Sequence, residues 1–113
     1  MEGPEQTFIL QDKVERFIPE LYTALRRYPK SERHVLAAET RQAAYRLLRF
    51  VVGAGKVSNK ARSLDLADAE LAMVYSLLRI GMQLEFLSFS HYERLAKQAS
   101  EVGKLIGSWK KKI

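Results

Sequence analysis

Arginine and lysine give the strongest chemical signal in this sequence of 113 residues, which carries a formal net charge of +6. Arg41, Tyr45 and Arg49 are spaced four apart, so they share one face if this segment is helical. A row of cations with one aromatic residue is typical of a surface that follows phosphates. Further basic residues adjoin or continue this row, and we predict nucleic-acid contacts for them too: Arg46, Lys56, Lys60 and Arg62.

A second set of cations lies near the C-terminus. Lys97, Lys104 and Lys111 are spaced seven apart, opposite the apolar positions of the same segment, and Lys110 and Lys112 add charge at its end. Either set alone is also consistent with an ordinary solvated helix face. Because both sets are biased in the same direction, we predict that the protein binds RNA and DNA, mainly through phosphates. Which set makes the contact is left open.

Residues suited to catalysis or metal binding are scarce. Both histidines, His34 and His91, are near predicted helix starts, where we expect them to be solvated. The Glu-x-x-His pattern of di-iron bundles is absent, since Ser31 and Ser88 occupy the positions of its glutamates. The chain has no cysteine. We therefore expect no enzymatic activity, no metal site and no cofactor.

One segment resembles a phosphate-binding loop only superficially. Gly55 and Lys56 have the right spacing, but Phe50 replaces the first glycine and Val57 replaces the hydroxyl residue that would hold magnesium. We interpret the glycines here as the end of a helix.

The overall composition indicates one domain, residues 1–113, with 47% apolar and 28% charged residues. The longest strongly apolar stretch, residues 71–82, is interrupted by Arg79 and is shorter than the roughly 20 residues of a membrane span. The acidic start, residues 1–6, does not resemble a secretory signal. These features predict a cytoplasmic protein that does not cross a membrane.

Four segments position these residues, and each repeats apolar residues at helical spacing. In the third segment the repeating positions are Leu64, Ala67, Leu71, Val74, Leu78 and Gly81. In the fourth they are Tyr92, Leu95, Ala99, Val102, Ile106, Trp109 and Ile113. The pattern predicts an all-α, antiparallel up-down-up-down four-helix bundle with helices at about 12–28, 31–56, 64–87 and 91–112. Ser31, Ser63 and Ser90 are the predicted caps of the second, third and fourth helices. Pro19 should kink the first helix or mark a late start.

The third helix carries a second apolar stripe, which one bundle core cannot cover. We predict that this stripe mediates self-association. It consists of Met73, Leu77, Ile80, Leu84 and Leu87, and the adjacent Arg79 is a candidate for a contact between subunits.

Three segments together resemble the accessory variability determinant (Avd) proteins of diversity-generating retroelements. They are residues 14–17, residues 67–73 with the Leu-Arg pair at 78–79, and residues 101–109. The similarity runs from about Val14 to Lys112. A more distant similarity reaches the bundle proteins encoded within ribosomal RNA genes.

The resemblance implies a homopentameric barrel of four-helix bundles, without enzymatic activity, that binds a reverse transcriptase and nucleic acid during mutagenic copying of a template RNA. It makes Lys104, inside the last shared segment, the best-supported nucleic-acid contact. A basic reverse transcriptase would be repelled by the basic helices, so the negative groups suited to contact it directly are Asp65, Asp68 and Glu70.

Two other hypotheses stay open from the residues alone. The protein is a structural oligomeric scaffold whose charge serves an acidic protein partner, with no role in nucleic-acid binding. The second and weaker hypothesis is that the protein is attached to an anionic membrane surface through Lys110, Lys111 and Lys112.

Overall fold

Four helices form from the four periodic segments, and the all-α prediction is confirmed. The computed structural model describes residues 3–113, with side chains from Phe8 onward; residues 1 and 2, part of the acidic start considered above, lie outside the described residues. The helices are α1 (Gly3–Leu25), α2 (Leu36–Ala54), α3 (Lys60–Gln83) and α4 (Phe89–Lys112). A 3-10 turn, Lys30–Glu32, separates α1 from α2.

All three predicted caps are wrong. Asn59 caps α3, accepting a hydrogen bond from the Arg62 amide at 3.1 Å, whereas the Ser63 hydroxyl donates to the carbonyl of Phe50 at 2.7 Å. Ser88 caps α4 by accepting from the His91 amide at 3.1 Å. In both cases a suitable oxygen occurs earlier in the chain and starts the helix there.

The start of α2 also differs from the prediction at Ser31. The 3-10 turn delays the helix to Leu36, and the Glu32 carboxylate accepts from the Leu36 amide at 3.3 Å. Pro19 does not mark a late start, because α1 already begins at Gly3 and continues through it.

The end of α3 comes earlier than the predicted residue 87. Glu85 has a φ of 64°, the left-handed conformation that terminates many helices. The amides of Phe86 and Leu87 then donate back to the carbonyl of Gly81 at 2.9 Å and 3.3 Å. Leu87 therefore lies outside the helix and packs in the core.

The core is one cluster to which every helix contributes. Trp109 and Phe17 are its largest fully buried side chains. The predicted α3 stripe is buried throughout: Leu64, Ala67, Leu71, Val74, Leu78 and Gly81. In α4 the predicted stripe is buried from Leu95 to Trp109, while Ile113 is exposed.

Contacts between helices place α2 and α4 on either side of both α1 and α3. The α2–α3 contact is the most extensive. At one end of the bundle Tyr28 inserts its ring beside Phe86, with ring centroids 5.6 Å apart, and its hydroxyl lies against Gly81. Burial raises the pKa of Tyr28 to about 12, so its hydroxyl stays protonated at neutral pH.

Candidate nucleic-acid interface

The outer face of α4 presents the lysines with seven-residue spacing to solvent. Lys97, Lys104 and Lys111 are exposed, while Ala99, Val102 and Ile106 on the opposite face are buried. Successive lysines are separated by about 10 Å along the axis, from the helical rise of 1.5 Å per residue. We call these three residues the α4 lysine face. Their arrangement suits a polyanion that runs along the helix.

Lys110 differs from these lysines because it bridges to another helix. Its ammonium lies 2.6 Å from the carboxylate of Asp65 near the start of α3. Hydrogen bonding to Asp65 raises the pKa of Lys110. Desolvation opposes this rise, and the negative charges of Asp65 and Asp68 add to it. The structure thus brings together a residue predicted to bind phosphate and one predicted to bind a partner protein.

A second ion pair joins two predicted site residues across α2 and α3. The Arg46 Nε lies 3.1 Å from a carboxylate oxygen of Glu70, whose side chain is 20% exposed. Of the predicted acidic contacts, Asp65 and Glu70 therefore each have a basic partner within the chain. Asp68 is exposed on α3.

Lys60, a predicted phosphate ligand, has a structural role in the connection between α2 and α3. The Lys60 ammonium donates to the carbonyls of Ala54 at 3.0 Å and Val57 at 3.3 Å, which satisfies backbone groups at the end of α2. Lys56 is exposed. Arg49 and Arg62 line one groove of about 370 Å³ with an apolar floor that includes Phe50, Val57 and Leu66.

Arg41 and Tyr45 belong to a network on the α1–α2 surface. The guanidinium of Arg41 donates to the Arg33 carbonyl at 3.0 Å and lies 6.0 Å from the centroid of the Tyr22 ring. The hydroxyls of Tyr22 and Tyr45 share a short hydrogen bond, which, with some desolvation, raises the pKa of Tyr45. This network holds the Arg41 side chain in a defined position.

Around Arg41 lies a concave basic pocket that sequence reasoning missed. Its volume is about 410 Å³. Its cationic lining residues are Arg26, Lys30, Arg33 and Arg41, with His34 beside them. A signal for it exists in the run of cations on both sides of Pro29. The run alone does not show that these side chains converge, because the 3-10 turn that folds them together was not anticipated. We call this cavity the corner pocket.

The predicted second stripe of α3 is only partly at the surface. Met73, Ile80 and Leu84 are 45%, 42% and 53% exposed, whereas Leu77 is 6% exposed and Leu87 3%. Leu77 and Leu87 are packed in the chain's own core, so they do not present a surface to another copy. α3 contacts both α2 and α4, and its buried arc is consequently wider than one stripe.

An exposed apolar row remains on α3, and it includes Leu66, which was not predicted. Leu66, Met73, Ile80 and Leu84 span about 27 Å at 1.5 Å per residue. We call these four residues the α3 apolar face. Arg79 is exposed beside it and donates to the Ser76 hydroxyl at 3.1 Å.

The two histidines occupy different environments. His34 is exposed at the corner pocket. His91 is only 8% exposed, so its predicted solvation is wrong. Burial lowers the pKa of His91, and the positive charges of Arg94 and Arg27 lower it further, against the opposing charge of Glu20. His91 is buried because it lies four residues before Leu95, on the buried face of α4.

Within residues 3–113, no helix has the length and apolarity needed to cross a membrane. Among the side chains that the structure describes, from Phe8 onward, there is no cluster of histidine, aspartate and glutamate that could hold a metal ion.

The protein is a four-helix bundle. It carries lysines on the outer face of α4 and an apolar row on the outer face of α3. A family model described as bAvd-like matches residues 8–113. The chain belongs to the bAvd-like family, which confirms the resemblance to accessory variability determinant proteins. No curated protein matches the chain.

Proposed function

We propose that this protein is a non-catalytic accessory subunit of a diversity-generating retroelement that binds the reverse transcriptase and nucleic acid during mutagenic copying. The observation that carries the proposal is the match to the bAvd-like family over residues 8–113. The α4 lysine face supports the nucleic-acid part, because its three cations are exposed and follow one line along the helix.

The proposed architecture is an up-down-up-down bundle assembled into a homopentameric barrel. Contacts that support antiparallel neighbours join late α2 to early α3, through Phe50 and Ser63, and early α3 to late α4, through Asp65 and Lys110. The α3 apolar face supports self-association, because an apolar row about 27 Å long on a small protein is expected to be covered.

Shared RNA is the main link proposed between the accessory subunit and the enzyme. Both proteins are basic, so direct attraction needs acidic groups, of which Asp68 is exposed while Asp65 and Glu70 also serve ion pairs within the chain. The enzyme contact is proposed at this acidic patch. Template RNA then strengthens the complex by bridging two basic surfaces.

Co-purification with the reverse transcriptase tests this proposal. We expect the enzyme to be retained more strongly with template RNA present than after nuclease treatment. Asp65→Lys with Glu70→Lys should weaken retention after nuclease treatment while leaving or raising nucleic-acid affinity, because two negative charges are reversed. Asp12→Lys with Glu15→Lys, on exposed or partly exposed positions of α1, is the control with the same charge change. Equal retention of the patch variant and wild type would place the enzyme contact elsewhere.

The scaffold hypothesis retains one observation in its favour, the α3 apolar face. It predicts self-association with no salt-dependent affinity for RNA or DNA. The salt dependence of binding to a DNA duplex separates it from the proposed function.

A further inference from the structure

The corner pocket differs from the rest of the basic surface in shape. At about 410 Å³ it falls within the roughly 300–1,000 Å³ typical of small-molecule sites. Arg26, Lys30, Arg33 and Arg41 surround it, and no acidic side chain is among the described residues that line it. A concave volume lined by several cations is suited to a single compact anion, whereas a flat face is suited to an extended one.

One of these cations is already held in place. Arg41 is partly buried, donates to the Arg33 carbonyl at 3.0 Å, and has its guanidinium 6.0 Å from the centre of the Tyr22 ring. The Tyr22 ring is in turn held by the hydrogen bond to Tyr45. A fixed planar guanidinium loses little conformational freedom when it binds a phosphate in bidentate fashion.

Compensation of helix dipoles does not account for the whole cluster. Arg26 and Lys30 follow the C-terminal end of α1, where a cation is favourable. Arg41 is in the second turn of α2, near the positive end of that helix, where a cation gains nothing from the dipole. The dipole of α2 therefore gives no reason for a cation at this position.

The pocket also has a side that is not charged. Tyr22, Tyr28, Leu25 and Ala37 contribute to its lining. Aromatic and aliphatic groups beside cations match the two parts of a nucleotide, whose base is flat and apolar on its faces and whose phosphate is anionic.

We infer that the corner pocket binds the phosphate of a single nucleotide, either free or as an unpaired unit of a strand. The choice of a nucleotide as the source of the phosphate rests on the proposed function. The cations around the pocket contact the phosphate oxygens, and the tyrosine side of the pocket contacts the base or sugar.

Isothermal titration with deoxyadenosine 5′-monophosphate at low salt tests the inference. We expect binding of the nucleotide and none of deoxyadenosine, which lacks the phosphate. Lys30→Gln with Arg33→Gln, both at exposed positions, should lower the affinity by about tenfold for each cation that no longer reaches the phosphate. Arg41→Lys keeps the charge but removes the planar donor pair, and should also lower it.

The matched control is Lys97→Gln with Lys104→Gln, which removes the same charge from the α4 lysine face. It should leave the affinity for the nucleotide unchanged and lower the affinity for a longer single strand. An equal decrease in the pocket and control variants would overturn the inference, because net charge alone would then explain binding. Wild type that binds a long strand but not the nucleotide would overturn the pocket and leave the proposed function standing.

A pair of short single strands distinguishes the two sources of the phosphate. If the pocket accepts a strand end, a 5′-phosphorylated strand should bind more tightly than the same strand with a 5′-hydroxyl, and the pocket variant should remove the difference. Equal affinity of both strands, with weaker binding by the pocket variant, assigns the pocket to an internal unpaired nucleotide. Equal affinity of both strands for wild type and for the pocket variant would exclude strands as a source.

Discussion

α3 and α4 pack side by side in the bundle, yet their outer surfaces differ in kind. α4 exposes Lys97, Lys104 and Lys111, while α3 exposes the apolar row from Leu66 to Leu84. Charged residues at the borders of α3 form ion pairs with its neighbours, as in the pairs of Asp65 with Lys110 and Glu70 with Arg46.

The difference shows that the role of a charged residue depends on where it lies: beside a neighbouring helix or on the face opposite the buried stripe. Cations beside a neighbouring helix are engaged by carboxylates and help to align the helices, as Arg46 does. Cations opposite the buried stripe remain available for an external anion, as Lys104 does. On this basis we propose that α3 makes protein contacts and that α4 binds nucleic acid.

The largest effect is expected from charge placed on the α3 apolar face. Met73→Glu with Ile80→Glu should convert the assembly to monomers, because an unpaired ion buried at an interface costs several kcal/mol. Light scattering coupled to size-exclusion chromatography measures this. Thr23→Glu with Gln42→Glu, at exposed positions on α1 and α2, controls for the added charge. Wild type that is already monomeric at micromolar concentration would refute the role of this face.

A neighbouring residue sharpens the same comparison. Leu77 is 6% exposed and Ile80 42%, although both are on α3. Leu77→Ala should lower the free energy of unfolding by about 2–5 kcal/mol through the cavity that it leaves. Ile80→Ala should change it by only about 0.5 kcal/mol. Both changes are measured by urea unfolding in a Met73→Glu background, after light scattering has shown that this background is monomeric.

A smaller effect is expected where α3 meets the end of α1. A Cβ atom at Gly81 would overlap the hydroxyl of Tyr28, so Gly81→Ala should lower the free energy of unfolding by about 1–3 kcal/mol. Gly107→Ala on α4 is the matched control, because its Cβ would meet nothing within 4 Å. That change should instead stabilise the helix by about 0.5–1 kcal/mol. Combining Gly81→Ala with Tyr28→Phe should recover part of the stability; equal stability of the two glycine variants would contradict this packing.

The smallest effect is expected from the ion pair between α2 and α3. Glu70→Gln should lower the free energy of unfolding by about 0.2–1 kcal/mol, since the Arg46 side chain is 40% exposed and solvent screens the pair. Urea unfolding at low and high salt should show the difference shrinking as salt rises. Asp12→Asn, in the exposed pair of Asp12 with Arg16, should have still less effect.

Sequence periodicity is sufficient to predict which residues form the core. It is insufficient to predict where the helices end and how their surfaces are arranged. The buried stripe of α3 from Leu64 to Gly81 follows from spacing, because burial on one side imposes the helical period. Caps were mispredicted because several oxygen-bearing residues compete near each helix start, and their order in space decides among Asn59, Ser63 and similar candidates.

The candidate site was predictable only where it lies on one helix. The α4 lysine face requires no more than the period of that helix, which places all three lysines opposite the buried stripe, and in the structure they are exposed. The corner pocket combines α1, the 3-10 turn and α2, so it depends on the path of the chain at Pro29. Pairings such as Lys110 with Asp65 depend on the register between helices, which spacing within one helix does not contain.

The most direct test of the division between α3 and α4 is the salt dependence of binding to a DNA duplex. Binding is measured by fluorescence anisotropy at a series of salt concentrations for wild type, for Lys97→Gln/Lys104→Gln/Lys111→Gln, and for Lys13→Gln/Arg16→Gln/Arg27→Gln. Both variants lose three positive charges at exposed positions.

We expect wild-type affinity to fall steeply with salt, and the α4 variant to bind more weakly with a log-log slope reduced by up to about 0.9 for each phosphate that is no longer neutralised. The control variant should keep the wild-type slope. Equal slopes for wild type and the α4 variant, or an equal reduction in both variants, would contradict the assignment of α4 to nucleic acid.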